Sequence, residues 1–321
     1  MLTRREALIG AAAGGALMGS RAIFAKASQP ATPVNFAVPA HACDCHTHIF
    51  GDPARFPFIP GRTFTPETVL PKEMSALHRA LGIERVVIVT PSVYGTDNSC
   101  LLDGMKARGA TARGIAVIDD KTPESDLDAM SKAGVRGIRL NLQTAGAVEP
   151  AVGRQRFQAA VVRLKSRAWH IQVYSGLAIV SAIKDLVLDA PMPVVFDHFG
   201  GARAALGVEQ PGFADLLDLV RRGKAYVKIS GAYRASTLAP DYVDVIPFAK
   251  ALIAANVDRI VWGTDWPHPD TTVPPGRRPT DVMPMLQIDD GRLLNQLAVW
   301  APDAAIRKKI LVDNPARLYG Y

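Results

Sequence analysis

Eight short runs of apolar and β-branched residues recur along the chain, at 42–49, 85–90, 113–118, 135–142, 170–175, 193–198, 225–230 and 259–264. They are continuously apolar rather than alternating, so each reads as a strand buried on both faces. Longer amphipathic segments separate them. These predict helices at 66–81, 97–108, 123–133, 153–167, 177–189, 211–222 and 241–255, with a last helical stretch over 281–312 broken near Pro302. Strands alternating with helices build a parallel sheet. Eight such units within 321 residues fit one closed (β/α)8 TIM barrel of the α/β class. The alternative, an open doubly wound sheet, usually wants a Gly-rich phosphate turn after its first strand. Here that place holds His46-Thr47-His48, and the sequence contains neither GxGxxG nor a P-loop. The two longest irregular stretches, 50–65 and 266–280, follow strands and are expected over the barrel mouth.

The barrel is expected to occupy 41–321, behind two leading segments. Residues 1–27 carry Thr3-Arg4-Arg5-Glu6-Ala7-Leu8, a soft Ala/Gly-rich run over 9–18 and the small-x-small site Ala25-Lys26-Ala27. This is the pattern of a twin-arginine signal peptide. It implies the twin-arginine export machinery as a partner and a periplasmic or secreted product. The apolar run is too short for a stable membrane anchor. Residues 28–40, with Pro30, Pro33 and Pro39, read as an extended lead-in. The leader holds four basic residues and one acid, so of the formal +7 on the whole chain, +4 stays on the mature part. With no Lys/Arg run and no basic–aromatic interleaving, that charge points away from nucleic acid. It suits a small anionic substrate. Cys43, Cys45 and Cys100 make no disulfide framework and read as buried small hydrophobes.

Three strand ends carry the chemistry. The first closes in Asp44-Cys45-His46-Thr47-His48, where strand alternation would put Asp44, His46 and His48 on one face. Two imidazoles there can grip one metal ion or one substrate oxygen. The eighth closes in Trp262-Gly263-Thr264-Asp265-Trp266-Pro267-His268, which sets a carboxylate where a catalytic base would stand. The sixth closes in Phe196-Asp197-His198-Phe199-Gly200. Each motif alone fits a structural role: a core histidine, a turn or a helix-capping Asp. Jointly they deliver His and Asp to the face where barrel enzymes build their sites.

These motifs resemble the amidohydrolase superfamily. The resemblance is to its amidohydrolase-2 branch, and within that to the lactone hydrolases and isomerases of the 2-pyrone-4,6-dicarboxylate lactonase type. It extends through Phe50-Gly51-Asp52-Pro53-Ala54-Arg55-Phe56-Pro57, Gly95-Thr96-Asp97-Asn98, Gly137-Ile138-Arg139 and Asp313-Asn314-Pro315-Ala316-Arg317-Leu318-Tyr319. The resemblance implies an enzyme that opens a small carboxylate-bearing lactone. Asp265 would be the general base, and His46, His48 and His198 would polarise or hold the carbonyl. Arg139 and Arg234 would bind a carboxylate, with Ser92, Tyr94, Tyr174 and His268 completing the substrate site. Trp262 and Trp266, flanking the base, are expected to lower the local dielectric and raise its pKa.

The sequence also departs from the wider superfamily. Arg139 stands where a two-metal site wants a bridging Lys or Glu on strand 4. Strand 5 offers Gln172 and Tyr174 at its working end instead of His, while His170 begins that strand at the wrong end of the barrel. The expectation is therefore no required cofactor. The alternative is one Zn²⁺ held by His46, His48 and Asp265, with water in the fourth position. The lactonase-type arginines after strand 4 and after the strand-6 His are also missing; Arg203 is near but offset. A lactone related to, but different from, the pyrone dicarboxylate is thus expected. The competing functions are a zinc-dependent amidohydrolase or decarboxylase, a sugar-acid lactone isomerase and a non-catalytic periplasmic binding protein.

Overall fold

The computed structural model describes residues 27–146 and 149–321. Eight strands follow one another in a single parallel sheet: β1 (Cys43–Thr47), β2 (Arg85–Val89), β3 (Ala112–Ala116), β4 (Val135–Asn141), β5 (His170–Tyr174), β6 (Val194–Phe196), β7 (Ala225–Ser230) and β8 (Ile260–Gly263). The sheet closes on itself just past its last strand. The Asp265 backbone N–H donates to His46 O at 2.9 Å, and that of His48 donates to Trp266 O at 2.8 Å. The result is a (β/α)8 TIM barrel, as the eight apolar runs require.

Two apolar clusters show how the sheet is packed. Alternate strand residues such as Val86, Ile88, Ile138, Ile171, Val194 and Val227 join the surrounding helices. Residues Cys43, Cys45, Val87, Val89, Ile115, Val195 and Val261 cluster with one another and with Tyr319, which places them inside the barrel. Each fully buried Val, Leu or Phe in these layers contributes about 1.5–3 kcal/mol of transfer free energy. All three cysteines are buried and free, as expected.

Helix positions follow the sequence reading, with shifted ends. The first begins at Pro71 rather than 66, because Thr65–Pro66 pairs as a short parallel ribbon with Val282–Met283. That ribbon also removes 281–289 from the last helical stretch, which starts at Asp290 behind an Asp289 cap and breaks at Pro302. The expected helix over 177–189 is two short ones, meeting at Ile183. A helix of four residues, Ala232–Ala235, was not anticipated; it delivers two site residues.

The lead-in is extended and docked. Asp289 accepts from the Thr32 N–H at 3.0 Å and the Thr32 hydroxyl at 2.5 Å, and the Trp266 indole donates to Ser28 O at 3.0 Å. The expected twin-arginine signal peptide lies, up to Lys26, outside the described residues. Among the described residues no helix is long and apolar enough to cross a membrane.

Candidate active site

The strand-1 motif works through an irregularity. Pairing between β1 and β2 shifts register between Asp44 and Thr47. Cys43 and Cys45 face the interior, and Asp44 faces the helix layer. There Asp44 accepts from His78 Nε2 at 3.2 Å, from the Thr264 hydroxyl at 2.5 Å and from the Thr264 N–H at 3.0 Å. Asp44 therefore does not share a face with the histidines, as strict alternation implied. It bolts strand 1 to strand 8 and to the helix Pro71–Leu81. Past the bulge, His46 and His48 turn into the barrel mouth.

Four atoms converge there. Asp265 Oδ1 lies 3.6 Å from His46 Nε2, 3.6 Å from His48 Nε2 and 3.8 Å from His198 Nε2. Asp265 and His46 are wholly buried, and neither Oδ1 nor His46 Nε2 has a hydrogen-bond partner among the described residues. Uncompensated buried polar atoms are costly and mark a place built for a ligand. The other carboxylate oxygen is saturated: Tyr233 OH donates to Asp265 Oδ2 at 2.6 Å, and Arg234 Nε donates to it as well. Behind them, His268 sits 3.3 Å from Tyr233 OH and 3.1 Å from Asp290. His268 is wholly buried in this rear layer, so it reaches Asp265 through Tyr233 and does not line the cavity.

Local backbone serves this convergence. Asp265, His198 and His268 all hold left-handed φ values of 66°, 49° and 63°, strain that ordinary chain avoids. Gly231 follows β7 at φ 59°, and a Cβ there would come within 2.9 Å of His198 Nδ1. Only glycine lets His198 and Asp265 close over that turn.

The electrostatics separate the acid from the imidazoles. Burial alone would raise the Asp265 carboxyl, but the Arg234 guanidinium and the surrounding imidazoles outweigh it, so its pKa falls well below the ordinary value. The expected upward shift from the tryptophans does not occur; Trp266 turns its indole toward Ser28. Burial, opposed by Asp265, brings His198 down to about 4. Burial likewise lowers His48, and burial with the nearby Lys228 lowers His46 strongly. At neutral pH the base is ionised and the imidazoles are uncharged.

The remaining expected residues divide. Ser92, Arg139, Tyr174 and Arg234 line the same cavity as His48, His198 and Asp265, with Phe64, Pro269 and Thr271 from the two mouth loops closing over it. Arg139 lies 4.9 Å over the Tyr174 ring and uses its Nε on Asp197 Oδ2 at 3.3 Å. Arg234 uses its Nε on Asp265. Among the described residues the terminal nitrogens of both guanidiniums have no hydrogen-bond partner, so both stay available to an anion. Tyr94 is not in the site: it is buried, and its hydroxyl accepts from the Gly51 N–H at 2.9 Å, holding the loop that follows strand 1.

Two groups escaped the sequence reading. Lys228, wholly buried on β7, reaches Gln172 Oε1 at 2.6 Å, His46 Nδ1 at 3.2 Å and Asp197 Oδ1 at 3.4 Å. A single lysine inside the apolar run AYVKIS was the available signal, since a lone buried charge needs a partner. Tyr233 gave none, being one aromatic beside Arg234 in an unforeseen helix.

The same donors could also face a metal ion. His46, His48 and Asp265 lie close enough together for one ion, as do His46, Asp197 and His198. The charge is unfavourable, however. Two buried carboxylates, Asp197 and Asp265, already face three cations, Lys228, Arg139 and Arg234. A divalent ion would add to a positive excess in a low-dielectric interior.

Known proteins similar to this chain include lactone hydrolases. The chain is 37% identical to 4-sulfomuconolactone hydrolase of Rhizobium radiobacter, covering 90% of this chain and 93% of the relative. It is 33% identical to 2-pyrone-4,6-dicarboxylate hydrolase of Comamonas testosteroni, covering 91% and 94%. A crystal structure of a 2-pyrone-4,6-dicarboxylic acid hydrolase homologue from Pseudomonas putida superposes with a TM-score of 0.71 at 30% identity, over 88% of this chain and 98% of that one. Residues 43–321 match the amidohydrolase family, Amidohydro_2, and this chain belongs to it.

Proposed function

We propose that this chain hydrolyses a small lactone bearing a carboxylate or sulfonate, without a metal ion, after export by the twin-arginine route. The observation that carries the reading is the convergence of three imidazole Nε2 atoms on one ionised, hydrogen-bond-free oxygen, Asp265 Oδ1, beneath two guanidiniums with free ends.

The mechanism follows from that arrangement. Arg139 and Arg234 hold the anionic arm and so orient the ring. A water molecule attacks the lactone carbonyl carbon and gives its proton to Asp265 Oδ1. The carbonyl π pair moves onto oxygen, where imidazole N–H donors stabilise the negative charge, an effect of roughly 3–4 kcal/mol per good donor. The tetrahedral intermediate collapses, the ring C–O bond breaks, and the leaving oxygen recovers the proton from Asp265. The product is the ring-opened hydroxy or keto acid. The positive excess around the two carboxylates supports an anionic substrate and the metal-independent reading alike.

The test uses mature protein, residues 28–321, with 4-sulfomuconolactone, 2-pyrone-4,6-dicarboxylate and sugar-acid lactones, with and without chelator. Expected is ring opening that is indifferent to chelation, with one ¹⁸O from H₂¹⁸O in the product. Activity lost on chelation and restored by zinc would overturn the metal-free reading. An isomerised lactone carrying no ¹⁸O would replace hydrolysis by isomerisation. Export is tested by fractionating cells that carry Arg4→Lys with Arg5→Lys; product that still leaves the cytoplasm would refute the twin-arginine route.

A further inference from the structure

Lys228 is wholly buried and does not line the cavity. A lysine ammonium has three donors and no acceptor. Its nitrogen meets Gln172 Oε1 at 2.6 Å, His46 Nδ1 at 3.2 Å and the Asp197 carboxylate at 3.4 Å. The Gln172 amide is fixed the same way round from its other end, where Nε2 donates to Asp197 Oδ2 at 2.9 Å. Asp197 Oδ1 is also 3.2 Å from His46 Nδ1, but that contact lacks hydrogen-bond geometry and leaves Oδ1 without a hydrogen bond among the described residues, whereas the Lys228 contact has it. The partner of His46 Nδ1 is thus a donor, and Nδ1 must present its lone pair.

We infer that Lys228 is a positioning residue that locks His46 in the Nε2–H tautomer, making it a hydrogen-bond donor to the reacting oxygen and unable to ligate a metal through Nε2. The contrast lies two residues further along the chain. His48 Nδ1 is 2.8 Å from Val89 O. A carbonyl only accepts, so His48 carries its proton on Nδ1 and points a bare Nε2 into the site. Both Nε2 atoms lie 3.6 Å from Asp265 Oδ1, one bearing hydrogen and one not. The roles divide accordingly: His46 donates to the carbonyl oxygen as it gains charge, and His48 accepts from the attacking water. The assignment of roles rests on the hydrolytic reading above; the tautomers do not.

Two-bond ¹H–¹⁵N correlation spectra of the ¹⁵N-labelled mature protein read the tautomers directly, with His46→Gln and His48→Gln supplying the assignments. The expected wild-type pattern is Nε2–H for His46 and Nδ1–H for His48. In Lys228→Met, His46 is expected to turn to Nδ1–H, the protein to take up about one zinc per chain by mass spectrometry, and kcat to fall about 100-fold with KM little changed. An Nδ1–H signal for His46 in the wild type would overturn the inference. So would a folded Lys228→Met variant with unaltered tautomer and no zinc. If that variant does not fold, the wild-type spectrum still decides. Neither the spectrum nor the zinc uptake needs a substrate. A protein inactive on every lactone but showing both would uphold the tautomer lock and overturn the hydrolytic reading alone.

Discussion

The two ends of the barrel interior are built on opposite principles. At the N-terminal end of the strands, Cys43, Val87, Ile115 and Tyr226 pack with Tyr319. Tyr321 OH donates to Val86 O at 2.7 Å, and Arg113 donates to Tyr319 O at 3.2 Å. Tyr319 OH is left without a partner there, but among the described residues no cluster of imidazoles and carboxylates converges at that end. At the C-terminal end, the same eight strands give out onto strained backbone at His198, Asp265 and His268, and onto buried polar atoms without partners. The base spends its residues on stability. The mouth accepts strain and desolvation that only a bound ligand can relieve.

If that contrast is right, substitutions at the mouth should cost activity more than stability, most of all at the converging oxygen. Asp265→Asn removes the proton acceptor while keeping shape, and kcat should fall roughly 10³–10⁴-fold. Steady-state kinetics on a turned-over lactone would check this, and full activity would end the base assignment. Arg234→Gln comes next, with an expected loss of about 100-fold in kcat/KM, since it takes a charged partner from both Asp265 and the substrate anion. It has a second signature. Arg234 is the main group holding the Asp265 carboxyl low, so without it the acid limb of the pH profile should move to higher pH.

In the intact protein the sign runs the other way. Asp265 must be ionised to act, and its lowered pKa keeps it so below the ordinary carboxylate range. Burial lowers His48 and His198 below the ordinary histidine value, His198 to about 4. The kcat/KM profile should therefore keep its acid limb below the ordinary histidine pKa of about 6.5. An acid limb centred near 6.5 would mean that an exposed, ordinary histidine controls the rate.

How much of this could be read beforehand depends on range. The strands were legible because continuous apolar runs are a local property, and the family motifs brought His46, His48, His198 and Asp265 to one place. What escaped was set by contacts between strands. The turn of Asp44 away from the site depends on a register shift in β1 that no periodicity announces. The His268 contact with Asp290 spans 22 residues, and that of Lys228 with His46 spans 182. Tyr94 shows the reverse error: a polar tip near a strand end looks like a pocket wall until its hydroxyl is found holding Gly51.

The smallest expected effects sharpen the contrast from its two sides. Gly231→Ala should cost about 1–2 kcal/mol from its left-handed φ alone, with a further loss of activity because the new methyl meets His198 Nδ1 at 2.9 Å. At the base, Tyr319→Phe removes a buried hydroxyl that has no hydrogen-bond partner among the described residues. Nothing is left unsatisfied by its loss and almost no volume changes, so stability should move by less than about 0.5 kcal/mol and kcat not at all. Denaturant unfolding beside kinetics would read both variants. A Tyr319→Phe protein that kept its stability but lost turnover would show that the base communicates with the mouth, and the two ends could no longer be treated as separate.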